Sequence, residues 1–258
     1  MITVRDVESF LYTWAPAGLA ASWDNVGLLV GDPVREVKKI LTTLDITESV
    51  VEEAVQTGAD LIVSHHPVMN CAWHPVQTLR SDDSQGRILT GLVENRISAI
   101  CMHTNLDAAE GGVNDVLAEK LGLLDTQPLT EEKIGRVGTL KCELPLVDFT
   151  RFVVELLGCN GLRFTDCGKA VHRVAWGGGA CGDYIAQAIA LGCDTFVTSD
   201  LRYHDFLDTK ELNLIDAGHF PTEQVIVPEL CRRLQAAFSA VSVSTSISHK
   251  SEVIQYCI

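Results

Sequence analysis

The chain has no Cys-x-x-Cys pair, although nine cysteines are spread over its 258 residues. An odd count without that spacing argues against both a disulfide framework and a thiolate zinc site. Cys101, Cys181, Cys193 and Cys231 sit in apolar or helical contexts and are expected as buried, reduced thiols. The opening residues, Met1-Ile2-Thr3-Val4-Arg5-Asp6, hold no apolar signal core, and no apolar run is long enough to cross a bilayer. A reducing cytoplasm without a membrane partner is the expected setting. Positive charge is scarce as well: Lys+Arg 20 against Asp+Glu 34 gives a net charge of -14. Such a chain repels phosphate backbones and anionic membranes, which argues against nucleic acid as a partner. Gly-x-x-x-x-Gly-Lys-[Ser/Thr] does not occur. The run Gly177-Gly178-Gly179 therefore reads as a tight turn needing positive φ rather than a phosphate cradle.

What is present describes a packed globular protein. The composition is 47% hydrophobic and 21% charged, and the length allows one large domain or two modest ones. Short β-type runs alternate with helical ones. Residues 37–44, 61–64 and 97–101 read as strands; 48–56, 84–95 and 112–121 read as helices, with Gly58 as a helix stop. Strands apolar on both faces imply mostly parallel pairing under helices. The pattern of Val50, Val51, Ala54, Gly58, Asp60, Val63 and Ser64 returns as Tyr184, Ile185, Ala188, Gly192, Asp194, Val197 and Thr198, at a constant offset of 134 residues (Gly58 to Gly192, Asp60 to Asp194). Such a repeat predicts two similar α/β lobes with mostly parallel or mixed sheets. The polar stretch 124–132, with Pro128, is the expected boundary, giving lobes 1–126 and 127–258.

Three segments concentrate metal-ligand residue types: Ser64-His65-His66-Pro67, His103-Thr104-Asn105-Leu106-Asp107, and Gly218-His219-Phe220-Pro221-Thr222-Glu223. Each comes after an apolar strand, and the carboxyl ends of strands in open α/β sheets form the ligand crevice. Adjacent side chains on a strand point to opposite faces, so His65 and His66 serve one site only where the chain has left the strand. Pro67 biases His66 away from helical geometry. Even then the imidazoles diverge, which suits two ions rather than one. His103 and Asp107, and His219 and Glu223, share an i,i+4 spacing; Pro221 and Thr222 read as the helix start, so His219 is expected just before it. His74, His172, His204 and His249 are read by default as surface or hydrogen-bonded histidines.

At these residues the sequence resembles the Nif-three-like dinuclear metal-centre proteins, members of which carry the name GTP cyclohydrolase 1 type 2 homologue. Trp23-Asp24-Asn25-Val26-Gly27-Leu28, Leu44-Asp45-Ile46-Thr47 and Gly111-Gly112-Val113-Asn114 belong to the same likeness, which runs from about Trp23 to Glu223. The resemblance implies five ligands, His65, His66, Asp107, His219 and Glu223, around two divalent ions. It also implies two interlinked lobes and a homohexameric ring, a trimer of dimers. Pro228 departs from a continuous helix after Glu223, which should kink or restart there.

Five ligands on two ions leave coordination positions open, the mark of a catalytic rather than a structural site. Histidine and carboxylate without thiolate suit Zn, Fe, Mn or similar ions. The expected activity is metal-assisted hydrolysis of a small substrate, with nucleotide-like molecules among the candidates. Asp107 or Glu223 is expected to bridge the ions. His103 is the candidate for proton transfer or a supporting hydrogen bond, and Asp45, at a strand end, shares that role or is a turn residue. Two other readings stand beside the enzyme: a metal-dependent hexameric scaffold or regulator, and a metal store or chaperone.

Overall fold

The structure, a computed structural model, describes residues 1–70, 75–249 and 253–255; His74 lies outside them. The chain divides into two compact units, Met1–Ala109 with Ile226–Lys250, and Glu110–Val225 with Ser251–Ile258. It therefore leaves the first unit after Ala109 and returns to it at Ile226.

The first unit begins with α1 (Val4–Trp14), β1 (Gly27–Val30), β2 (Lys39–Thr43), α2 (Glu48–Thr57), β3 (Leu61–Ser64), α3 (Ser84–Glu94), β4 (Ser98–Cys101) and α4 (Thr104–Ala108). β2, β3 and β4 pair in parallel, with Ile40 opposite Leu61 and Leu61 opposite Ser98; β1 runs antiparallel along β4. Every residue of β3 and β4 is buried, which is why they read as unbroken apolar runs. α2 starts where the Thr47 hydroxyl accepts from the Val50 amide and stops at Gly58, in the left-handed region at φ 70. Its Val50 and Ala54 pack with Leu89 and Leu92 of α3 over Ile62 and Ala99 of the sheet.

The second unit holds α5 (Val113–Leu121), β5 (Leu124–Pro128), β6 (Arg136–Leu144), α6 (Leu146–Leu157), β7 (Arg163–Thr165), β8 (Val171–Trp176), α7 (Ile185–Ala190), β9 (Thr195–Thr198), α8 (Tyr203–Asp208), β10 (Asn213–Asp216) and α9 (His219–Glu223). Its sheet runs β5-β6-β8-β9-β10-β7, parallel from β8 to β10 and antiparallel on both flanks. The stretch read as a polar boundary contains β5, a fully exposed strand. The chain then returns to the first unit as α10 (Ile226–Ala237) and β11 (Ser242–Thr245), which extends the first sheet parallel to β2. The helix does restart: α9 ends at Glu223, and Pro228 falls in the first turn of α10, where a missing amide hydrogen costs little.

The repeat is visible in the hydrogen bonding of each unit. Ile40 faces Leu61 in one and Val174 faces Thr195 in the other, the same offset of 134 residues. One Asp60 carboxylate oxygen accepts from the amides of Lys38 and Lys39 at 2.8 and 3.0 Å. Asp194 does the same for His172 and Arg173 at 3.0 and 2.6 Å. The shared spacing of aspartate to strand thus fastens each crossover helix to the strand before it. Both sheets are mixed, as the apolar runs and the repeat predicted. Of the four thiols expected inside, Cys101, Cys181 and Cys193 are buried, whereas Cys231 on α10 is half-exposed. No helix among the described residues is long and apolar enough to cross a membrane.

Candidate metal centre

Because β3 and β4 are parallel neighbours with Ser64 opposite Cys101, the segments after them leave the sheet at the same end. The His65 and His66 amides still donate to Thr43 and Leu44 carbonyls at 3.3 and 3.0 Å, while the Ser64 hydroxyl donates to the His66 carbonyl at 2.8 Å and closes the turn. The imidazoles of His65 and His66 then lie 5.1 Å apart and tilted by 41°, with the His103 ring 5.2 and 5.6 Å from them. One nitrogen from each of the three lies within 4.8 Å of the others, a grouping that could hold a metal ion. α4 supplies Asp107: the Asp107 amide donates to the His103 carbonyl at 3.0 Å, and Asn105 accepts from the His103 amide while donating to Ala15. His65 Nε2 and Asp107 Oδ1 are 3.6 Å apart. That is longer than a hydrogen bond but close to the roughly 3.4 Å that separates two donors about 2.1 Å from one tetrahedral ion.

Each of these histidines has its Nδ1 spoken for. His65 Nδ1 meets the Met102 carbonyl at 2.8 Å, His66 Nδ1 meets Asp45 Oδ1 at 2.6 Å, and His103 Nδ1 meets Asp24 Oδ1 at 2.9 Å. A carbonyl oxygen only accepts, so His65 Nδ1 carries the hydrogen and Nε2 keeps its lone pair. Ionised carboxylates impose the same tautomer on His66 and His103. Burial alone would raise the Asp24 carboxyl. Hydrogen bonds from His103, Thr104 and the Asn25 amide outweigh it and hold that carboxyl at about 2. Asp45 is held below the usual carboxylate range in the same way, against its burial, by His249 and His66.

The second unit presents its donors on one short helix. α9 begins at His219, two residues earlier than the proline suggested, so the i,i+4 geometry is regular and His219 Nε2 meets Glu223 Oε2 at 2.9 Å. His219 Nδ1 meets Asp200 Oδ2 at 2.5 Å, repeating the arrangement in the first unit. The glycine run shapes this spot. Gly179 adopts φ +66, as the tight-turn reading required, and a Cβ there would stand 2.0 Å from Glu223 Oε1. The Gly179 amide donates to Thr222 Oγ1 and the Gly178 amide to Asn114 Oδ1, each at 3.0 Å. The carboxylate of Glu223, 3% exposed, thus lies directly against bare backbone.

In each unit, histidine nitrogens and a carboxylate without thiolate suit a borderline divalent ion. Burial disfavours the His219 cation, but the charges of Glu223 and Asp200 outweigh that and push the imidazole up to about 11. Because the folded value lies above the ordinary 6.5, the stability this ion pair gives the metal-free protein is complete below about pH 6.5 and is lost as pH rises toward 11. An ion taking Nε2 must displace that proton. Zinc titrations at pH 7 and 8 in buffers of different ionisation enthalpy are expected to show about one proton released from this histidine. Binding that tightens with pH would accompany it; heats independent of the buffer would contradict the assignment.

The fold brings His65, His66, His103 and Asp107 beside one another, and His219 beside Glu223. Of the carboxylates behind the rings, Asp45 was singled out in the sequence for such a hydrogen bond, whereas Asp24 and Asp200 were not. Asp200 stands at the repeat counterpart of His66, so the offset of 134 residues marked it (His66 to Asp200). Asp24 sits inside the Trp23–Leu28 motif without a stated role. His249, set aside by default, donates from Nε2 to Asp45 Oδ2 at 2.8 Å across 204 residues of sequence. His172 and His204 are exposed, as their default reading had it.

A family model described as Duf34/NIF3 (NGG1p interacting factor 3) matches residues 2–252. A GTP cyclohydrolase 1 type 2 homolog of Clostridium perfringens (strain 13 / Type A) is 34% identical over 241 residues, 90% of this chain and 91% of the relative. Among solved structures, a hypothetical protein of Staphylococcus aureus superposes with a TM-score of 0.89 at 30% identity, covering 99% of each chain. A Bacillus cereus protein related to NIF3 reaches 0.92 at 24% identity, covering 99% of this chain and 100% of its own, and speaks for the fold alone.

Proposed function

The chain belongs to the Duf34/NIF3 family, and from that premise we propose that it is a metal-dependent hydrolase of a small, nucleotide-like molecule, holding two divalent ions through His65, His66, Asp107, His219 and Glu223. The observation that carries this reading is a shared orientation: His65, His66 and His219 each give Nδ1 to an acceptor, so Nε2 is the atom offered for ligation, in His219 once its proton is displaced. An acceptor held on Nδ1 fixes the ring and directs Nε2 toward an ion. When bound, the ions supply Lewis acidity toward substrate and water oxygens.

The chain's own groups divide the remaining work. Asp45, Asp200 and the Met102 carbonyl orient the ligand imidazoles. His103 is the proton carrier at Nε2, its Nδ1 fixed by an Asp24 carboxylate that is itself wholly buried. Trp23, 55% exposed, stands with its ring 6.0 Å from that of His103 and offers a flat apolar face to a planar ring. The nucleotide-like substrate class is drawn from that surface together with the relatives' name.

The test is elemental analysis of the purified protein, then turnover of a panel of phosphoesters, cyclic amidines and nucleotides. Two ions per chain are expected. His103→Ala should keep both ions and lose about 10²- to 10⁴-fold in turnover, the usual worth of a positioned acid or base. Undiminished turnover by chelator-stripped protein would remove the catalytic reading, and loss of an ion from His103→Ala would make His103 a ligand instead.

A further inference from the structure

β11 runs parallel to β2, with Thr245 opposite Thr42, so the segments leaving both strands emerge at the same end of the first sheet. Three residues beyond Thr42 stands Asp45; four beyond Thr245 stands His249. The backbone between is not loose. The Ser246 amide donates to the Thr42 carbonyl at 2.8 Å. Glu53 of α2, a buried carboxylate, accepts from the Ser246 hydroxyl at 2.6 Å and from the Ile247 and Ser248 amides, each at 3.0 Å. Such a carboxylate, wrapped by successive amides, is a fixed anchor rather than a surface charge.

His249 ends this strap and closes on Asp45. One Asp45 oxygen meets His66 Nδ1 at 2.6 Å, and the other meets His249 Nε2 at 2.8 Å. The Asp45 side chain is 38% exposed, so its own packing leaves it room to turn. A carboxylate gripped at both oxygens cannot rotate without breaking a bond. The plane of His66 is then set by the strap as well as by its own turn.

We infer that His249 is a positioning residue: the strap of residues 246–249, anchored on Glu53, holds Asp45 against His66 and thereby fixes the direction of His66 Nε2 toward its ion. The inference rests on the proposed metal site and extends it to a segment outside all three ligand-bearing motifs. Its chemical content is that ligand geometry in this chain depends on a side chain far from any ligand in sequence. His249 works through the carboxylate and not on the ion.

The experiment uses cobalt(II) as the probe on the full chain, reading affinity by competition with a chelator and coordination geometry from the visible d–d bands. Wild type, His249→Ala and His249→Gln are compared, with metal-free melting temperatures measured on each. Loss of one hydrogen bond at this remove should weaken cobalt binding by about three- to tenfold in His249→Ala and shift the visible bands, with the metal-free melting temperature nearly unchanged. Gln places an amide nitrogen where His Nε2 stood, and should restore affinity to within about twofold and recover the wild-type spectrum. In an Asp45→Asn background, itself about 10- to 100-fold weaker, His249→Ala should have no further effect. Equal affinity and spectra in wild type and His249→Ala would overturn the inference while leaving the metal site standing. An equal loss in His249→Ala and His249→Gln would overturn it too, by showing a merely structural role. Failure of the wild type to bind cobalt would overturn both.

Discussion

His66→Ala is expected to leave a folded protein that loses at least one ion on dialysis and shows no turnover above background. Zinc bound by four protein ligands is worth about 10–16 kcal/mol, so one ligand carries roughly 3 or 4, or about 100- to 1000-fold in affinity. His66 is the right ligand to remove because it is only partly buried, whereas His65 is fully enclosed and its deletion would leave a cavity. The metal-free melting temperature should therefore stay within a few degrees of wild type. The measurement is ion content by elemental analysis after equilibration in zinc buffered by a chelator. Retention of two ions at wild-type affinity would refute the ligand set.

Gly179→Ala should damage the second unit's donors without touching any of them chemically. Its left-handed backbone costs an alanine about 1–2 kcal/mol, and the added methyl would lie 2.0 Å from Glu223 Oε1. Glu223 is the end of a side chain and can turn away more easily than backbone can move. The overlap is then relieved at the expense of the carboxylate's aim at Nε2 of His219. A loss of about 1–3 kcal/mol corresponds to roughly 3–10 °C in melting temperature for a chain of this size. Gly58→Ala is the control: it has the same left-handed backbone, at φ +70, but nothing lies within 4 Å of its added methyl. It should lower the melting temperature by the strain alone and leave ion content at the wild-type level. If both variants bind metal equally well, the glycine is a turn residue and no more.

Much of the architecture is legible in the amino-acid order. β3 and β4 announce themselves because strands buried on both faces must be apolar throughout. The repeat is legible because each copy needs the same helix stop and the same aspartate to satisfy two strand amides, and Asp60 and Asp194 do so at matching positions. The β5 edge strand is not: Leu124–Pro128 is exposed at every position and carries no alternation to betray it. The start of α9 was misplaced for a related reason. Pro221 marks a permissible first turn, but the helix begins at His219 because Gly218, at φ 85, lets the chain turn in earlier.

Within the site, residue type and spacing determined which side chains were candidates, since only histidine and carboxylate clusters after strand ends can gather around an ion. They did not determine which nitrogen of each ring is presented. That depends on acceptors brought up by distant parts of the chain: Asp24 to His103 over 79 residues, Asp45 to His66 over 21, and His249 to Asp45 over 204. Local sequence records the donors because ligation is a property of side-chain chemistry. The tertiary structure decides their orientation, because each acceptor comes from a loop that no short stretch of sequence around the histidine contains.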